Sequence, residues 1–271
     1  MRTLTAVAAA ALFFGCAASA PAPTGAGPEV PSQELQVTQS LTDFQLKFVG
    51  KVTGPDGAKV DTAAWELVVD GKVVNSGVAP VNATLSSGAA EFSFATSSKY
   101  VSNADELKAM DARGGSLLVA LRGKLNMKEG EKTHELPFAR SREVRVPRLP
   151  HMKMVEMEGA RFHETEAGIT FHLGVVNPNP FEIYVSQLSY DVQVAGKPVE
   201  KDVIGRGERV SPASTGVFDV EVKIDEGTHG KDIAKLIKSQ VLPYAVTGQL
   251  QADLFTEAFD FKGDLKLNVS K

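Results

Sequence analysis

Chemistry in this chain would have to come from few residues. His151, His163 and His172 lie within a short span, and Glu164 and Glu166 stand beside the second of them. Imidazoles and carboxylates suit zinc, which takes nitrogen and oxygen ligands in a tetrahedral shell. The condition is that Val155–His163 and Ile169–Val176 pair as a hairpin, so that His163 and His172 could lie near one another. The reading adopted is the plainer one: half-exposed strand histidines, no metal and no cofactor. His134 and His229 fall in turns without a partner. Ser211 and Ser214, like Ser97 and Ser98, are turn residues that lack the context a nucleophilic serine needs. Gly205-Arg206-Gly207-Glu208 lacks the strand–loop–helix setting of a phosphate cradle. Cys16 is the one cysteine, which excludes an internal disulfide and a cysteine metal site. The chain is therefore read as a non-enzyme with no small-molecule substrate.

The best-marked local feature is Gly174-Val175-Val176-Asn177-Pro178-Asn179-Pro180-Phe181. Each proline lacks an N–H and fixes φ, so a sheet ladder cannot run through it. Residues before proline are pushed out of the helical region. The asparagines can bond their own backbone and stabilise a turn. Asn177, Pro178, Asn179, Pro180 and Phe181 thus form a structural junction between two strands.

The remaining pattern is β-rich. Phe44 to Val52 alternates at period two, and Gly54-Pro55-Asp56-Gly57 is a turn cluster. Trp65 to Val69 ends at the hairpin-type pair Asp70-Gly71. Ala90–Ala95, Ser116–Leu125, Gly216–Ile224, Tyr244–Leu254 and Phe259–Val269 read as further strands. Asn103–Ala112 and Asp232–Val241 have helical spacing, the first followed by Gly114-Gly115 and the second by Pro243. The lysines of the second helix, Lys231, Lys235 and Lys238, read as a solvated face.

The two halves repeat in order. Asp70-Gly71-Lys72 matches Ala195-Gly196-Lys197, Phe92 matches Phe218, the first helix matches the second, and Leu121-x-Gly123-x-Leu125 matches Val246-x-Gly248-x-Leu250. The expected fold is mainly β: tandem immunoglobulin-like antiparallel β-sandwiches, each with one short α-helix. Expected boundaries are 1–16 for a signal segment, 17–34 for a Pro/Ala/Gly-rich tether, and 35–148 and 149–271 for the two sandwiches. With 271 residues, 43% apolar and 23% charged, the composition is globular. A net charge of -4 with mixed signs gives no field for nucleic acid.

At the N-terminus Arg2 precedes the apolar run Leu4–Phe14, too short to span a bilayer. Gly15-Cys16 follows. This resembles a bacterial lipoprotein signal, in which Cys16 would become the lipidated first residue, although Phe13 and Phe14 depart from the usual pattern. The rival cleavage site, Ala18-Ser19-Ala20, would leave Pro21 after the cut. The resemblance implies an outer-membrane lipoprotein facing the periplasm, the alternative being a secreted or periplasmic protein.

Val176-Asn177-Pro178-Asn179-Pro180-Phe181, followed by a helix before the last two strands, resembles the type 2 late embryogenesis abundant proteins and their water stress and hypersensitive response domain. The resemblance covers about 150–271, while 35–148 lacks the motif and reads as a degenerate copy. It implies a folded sandwich without catalytic residues that protects proteins from aggregation during desiccation. The expected partners are non-native or envelope proteins, and the membrane through the N-terminal lipid. The alternative is an envelope adaptor that docks one protein through a sandwich edge.

Overall fold

The computed structural model describes residues 27–269. Cys16, the signal segment 1–16 and residues 17–26 lie outside the described residues. The first group of elements is β1 (Glu29–Gln39), β2 (Asp43–Thr53), β3 (Lys59–Val69), β4 (Lys72–Thr84), β5 (Ala89–Lys99), α1 (Ala104–Arg113), β6 (Ser116–Glu129) and β7 (Lys132–Arg145). After Val146–Pro150 come β8 (His151–His163), β9 (Glu166–Val176), β10 (Ile183–Val194), β11 (Lys197–Ile204), β12 (Glu208–Val210) and β13 (Thr215–Asp225). They are followed by α2 (Glu226–His229), α3 (Lys231–Ser239), β14 (Val241–Ala252), β15 (Phe255–Lys266) and β16 (Asn268–Val269).

The strands form four sheets. In the first group the orders are β1-β2-β5 and β4-β3-β6-β7; in the second they are β13-β9-β8-β16 and β11-β10-β14-β15, with β12 also on β10. Stripped of β12 and β16, the two orders are the same. Strands one, two and five face strands three, four, six and seven, which is the arrangement of immunoglobulin-like sandwiches. Pairing is antiparallel except where β16 runs parallel to β8.

Alternation sets which residues face inward. In β2, Phe44, Leu46, Phe48 and Val52 are buried while Gln45, Lys47 and Lys51 are exposed. Phe48, Phe92, Phe94 and Phe138 meet at centroid distances of 4.7 to 5.9 Å across the first interior, adding specific ring contacts to the area they bury. In β10 the inward phase shifts between Val185 and Leu188. A bulge against β14 between Val185 and Gln187 absorbs the extra residue.

The repeat is visible in turn geometry. Asp70 and Gly71 have φ of 47° and 81°, and Ala195 and Gly196 have 52° and 73°. Both pairs form tight hairpins, with φ positive at both central residues. Gly123 lies opposite Trp65 and Phe138, and Gly248 lies opposite Tyr190 and Phe259. A Cβ at Gly123 would sit 1.9 Å from the Ala64 carbonyl oxygen, and one at Gly248 would sit 2.0 Å from that of Ser189. The same close approach of neighbouring backbones excludes any side chain in both halves.

The order and bounds of the elements depart from expectation at three places. The tether to residue 34 runs too far, because Glu29 to Glu34 already belong to β1. Pro31 is tolerated there because β1 is an edge strand whose register is broken between Glu29 and Ser32. Arg140 and Ala139 of β7 bond to Gln33 and hold this segment to the body. The second half has the extra one-turn helix α2, capped where the Asp225 side chain accepts from the Thr228 N–H at 2.8 Å. Helix α3 stops at Ser239, because Gln240 takes a left-handed conformation with φ 61°. Val241 is therefore a strand residue. Like Pro31, Pro80, Pro137 and Pro198 lie in edge strands, β4, β7 and β11.

The cores meet at a seam. Leu41, Val101 and Leu107, all from the first half, belong to the buried cluster of the second. Tyr100 and Met110 touch both clusters. Tyr100 stacks on Phe44 at 4.1 Å and donates to the Ser40 carbonyl, fixing the end of the first sandwich.

Gly248→Ala should lower stability by about 3 kcal/mol, the upper range for forced overpacking. A reduced urea midpoint with an unchanged slope would show this. An unchanged midpoint would mean that the strands can part without cost.

Candidate functional site at the asparagine–proline turn

Strand β9 ends at Val176, and the Asn177 N–H donates to the Ser214 carbonyl at 2.8 Å. Gly54, at the matching place in the first half, donates to the Gly88 carbonyl at 3.1 Å. The backbone junction is shared; the side chains are not. Asn177 and Asn179 are 1% and 0% exposed. A buried primary amide must find acceptors for two hydrogens and a donor for its oxygen.

Asn177 finds them inside the second sandwich. Its Nδ2 lies 2.7 Å from the Phe181 carbonyl, 3.1 Å from that of Val210 and 3.0 Å from that of Ser211. Its Oδ1 accepts from the N–H and the Nδ2 of Asn179, each at 3.0 Å. The Asn179 amide turns the other way. Its Oδ1 accepts from the Arg148 N–H at 2.7 Å, and its Nδ2 donates to the Arg148 carbonyl at 2.8 Å. Pro178 and Pro180 are exposed and have no N–H left to satisfy. Phe181 and Ile183 restart the apolar pattern against the second core.

Residue types alone account for half of this network. The Asn177–Asn179 bonds are legible from residue types, but the contacts to Arg148, Val210 and Ser211 are not. Their partners are backbone atoms, which carry no residue signature. The network contains neither a titratable group nor a nucleophile, so its chemistry is structural: it seals a strand crossing and grips a linker.

The histidines do not converge. Strands β8 and β9 do pair, with His163 opposite Glu166, but His172 is opposite Glu156. Six residues of strand separate Glu166 from His172, about 20 Å. Among the described residues no group of three or more His, Cys, Asp or Glu side chains could hold a metal. The carboxylates are taken up elsewhere: Glu166 pairs with Lys223 at 2.7 Å and Glu164 with Lys238 at 3.3 Å. His134 and His229 are not the unpartnered turn residues expected: His134 belongs to β7 and lies 3.0 Å from Glu129, and His229 ends α2 with its Nδ1 3.2 Å from the Asp225 carbonyl. The Ser214 hydroxyl donates to the Ser211 carbonyl at 2.7 Å, as a turn residue does, whereas Ser97 and Ser98 are strand residues of β5, paired with Gln45 and Phe44. Lys235 pairs with Asp232 at 3.4 Å on the outer face of α3.

His172 Nδ1 meets Asp219 Oδ1 at 2.7 Å on the outer face of the β13-β9-β8 sheet. That hydrogen bond holds the imidazole above its usual value, and the charges of Asp219, Glu158 and Glu156 add to it. A raised folded value means that the stabilisation is fully present below the unfolded value of about 6.5. It fades as pH rises through the folded value.

Asn177→Ala should cost about 3 kcal/mol or more, since it leaves several buried groups without partners. His163→Ala should change stability by less than about 0.5 kcal/mol, as surface substitutions do. Urea unfolding of both variants checks the pair, and equal costs would refute the assignment. By NMR, the His172 imidazole should titrate above about 6.5, and Asp219→Asn should bring its midpoint down. A midpoint indifferent to that change would remove the pairing as the cause.

Residues 172–264 match the model of the family described as late embryogenesis abundant protein. No curated protein matches the chain. Among solved structures, an Arabidopsis thaliana protein, AT1g01470, is similar at 17% identity and TM-score 0.36, covering 44% of this chain and 82% of that one. A protein from Archaeoglobus fulgidus is similar at 13% identity and TM-score 0.29, covering 44% and 98%. Red sea bream transglutaminase is similar at 11% identity and TM-score 0.24, covering 90% of this chain and 32% of that one. None of these structural likenesses bears on function. The stretch from His172 to Asp264, which holds the asparagine–proline turn, is the part of the chain that is similar to the late embryogenesis abundant family.

Proposed function

We propose that the chain is a stress-protection protein of the desiccation type, exported and held at the bacterial envelope by a lipid on Cys16. It would shield non-native or envelope proteins from aggregation and would not act as an enzyme. The observation that carries this reading is the family match over 172–264, which opens on a turn whose two asparagines are fully bonded. We assign 149–271 to a water stress and hypersensitive response domain and 35–148 to a diverged copy of it, on the common strand order. The expected location is the outer membrane, facing the periplasm.

The surface chemistry fits a diffuse role. Exposed ion pairs are spread over the sheets: Arg122–Glu66 at 2.8 Å, Lys128–Asp61 at 2.7 Å, Arg209–Glu182 at 2.7 Å and Lys262–Asp260 at 2.6 Å. Such pairs add little stability. They do keep a densely hydrated coat of both signs, which lets the protein sit between partly unfolded neighbours without adhering to itself. No helix among the described residues is long and apolar enough to cross a membrane. Attachment in this reading rests on Cys16 alone.

A labile enzyme should survive freeze–thaw or drying better with equimolar chain than with an equal mass of an unrelated globular protein. Protection no better than that control would defeat the reading and favour an adaptor for one envelope partner. Cys16→Ser should move the protein from the membrane fraction to the soluble fraction of expressing bacteria. An unchanged distribution would refute lipid attachment.

A further inference from the structure

The two asparagines of the turn hold different things. Asn177 bonds only within the second sandwich, whereas both polar atoms of the Asn179 amide reach Arg148, in the five-residue connection between the sandwiches. A second grip on that connection comes from the opposite side. Asp111, in α1 of the first sandwich, accepts from the Leu149 N–H at 3.2 Å and from Arg148 Nε at 2.7 Å. Upstream, the Val146 N–H donates to the Gly115 carbonyl at 3.0 Å. Consecutive residues of the connection are thus held by one side chain from each sandwich.

We infer that Asn179 and Asp111 form a two-sided latch that fixes the angle between the sandwiches, and that Val146–Pro150 is the hinge it closes. The choice of residue follows from the bonds. The Arg148 peptide groups offer one donor and one acceptor, and a primary amide answers both in parallel. A carboxylate would face the Arg148 carbonyl with like partial charge. An alanine would leave both half-buried backbone groups without these partners. Because the Asn179 bonds are to main chain, that side of the latch reads the shape of the connection, while Asp111 also pairs with the Arg148 side chain.

The latch also guards a buried surface. Leu41, Val101 and Leu107 are 1%, 0% and 0% exposed because the second sandwich covers them. Opening the hinge would bring these side chains, and the Met152 and Phe255 they share a cluster with, toward water. Apolar burial at the seam therefore pulls the hinge shut, and the latch decides at which angle it shuts. Hydrophobic contact is non-directional and cannot select that angle by itself.

The test measures the distance between the sandwiches in the full chain. Lys51→Cys and Lys153→Cys, in a Cys16→Ser background, place one spin label on an exposed residue of each sandwich. Pulsed dipolar spectroscopy should give one narrow distance for the parent and at least a twofold broader distribution for Asn179→Ala. Asp111→Ala acts from the other sandwich and should broaden it likewise. Asn177→Ala, if it remains folded, should lower stability while keeping the parent distance. Hydrogen exchange of β9 and β10 separates a loosened hinge from a damaged fold, since those amides should keep their protection in Asn179→Ala. Narrow parent-like distances in Asn179→Ala or Asp111→Ala would overturn the latch, and so would loss of β9 and β10 protection in Asn179→Ala. The outcome is independent of whether the chain protects other proteins.

Discussion

Burying a primary amide is costly unless every hydrogen and lone pair finds a partner, and this chain buries two of them side by side. Asn177 and Asn179 satisfy each other in part, then look outward in opposite directions. One ties β9 to the loop before β13, and the other ties the second sandwich to the connection that enters it. Neither group titrates, so the arrangement is indifferent to pH. The prolines keep the turn from offering stray donors, and the restart at Phe181 and Ile183 returns the chain to the core. The crossing between the two sheets of the second sandwich depends on these contacts.

The first sandwich solves the same crossing without asparagines. Gly54 makes the equivalent backbone bond, and the loop through Gly57 closes with bonds to the strand end near Leu85. Gly54-Pro55-Asp56-Gly57 stands there in place of the asparagine pair. The comparison separates what the two halves share from what the second adds: a strand end bonded to the start of strand five in both, and a side-chain grip on Arg148 in the second. The paired glycines, Gly123 and Gly248, belong to the first category, since the same backbone approach recurs in both sheets.

Much of this was legible in the residues. Alternation in β2, β9 and β13 needs nothing but the side-chain sequence, and the Asp70-Gly71 and Ala195-Gly196 turns follow from it. The helix α1 begins where Asn103 can cap Glu106 and ends before two glycines. What escaped depends on atoms that every residue has. The strand character of Glu29–Glu34 comes from an edge position against β2 and from bonds to Gln33, not from an apolar pattern. The separation of His163 from His172 follows from hairpin length: pairing alone brings strands together, while position along them sets which side chains meet. The seam was hidden for a related reason. Leu41, Val101 and Leu107 look like ordinary core residues of the first sandwich, and only the folded chain shows that they serve the second.

The edge prolines carry a consequence for the company this protein can keep. Unpaired strand edges act as templates on which unfolded chains grow into ordered aggregates. Pro31, Pro80, Pro137 and Pro198 each interrupt the row of donors on an outermost strand, at β1, β4, β7 and β11. An unfolded chain laid along any of these strands meets a gap in its ladder before it can lengthen. Growth by strand addition is thus blunted at four outer strands, while β5, β13 and β15, which also end their sheets, carry no proline.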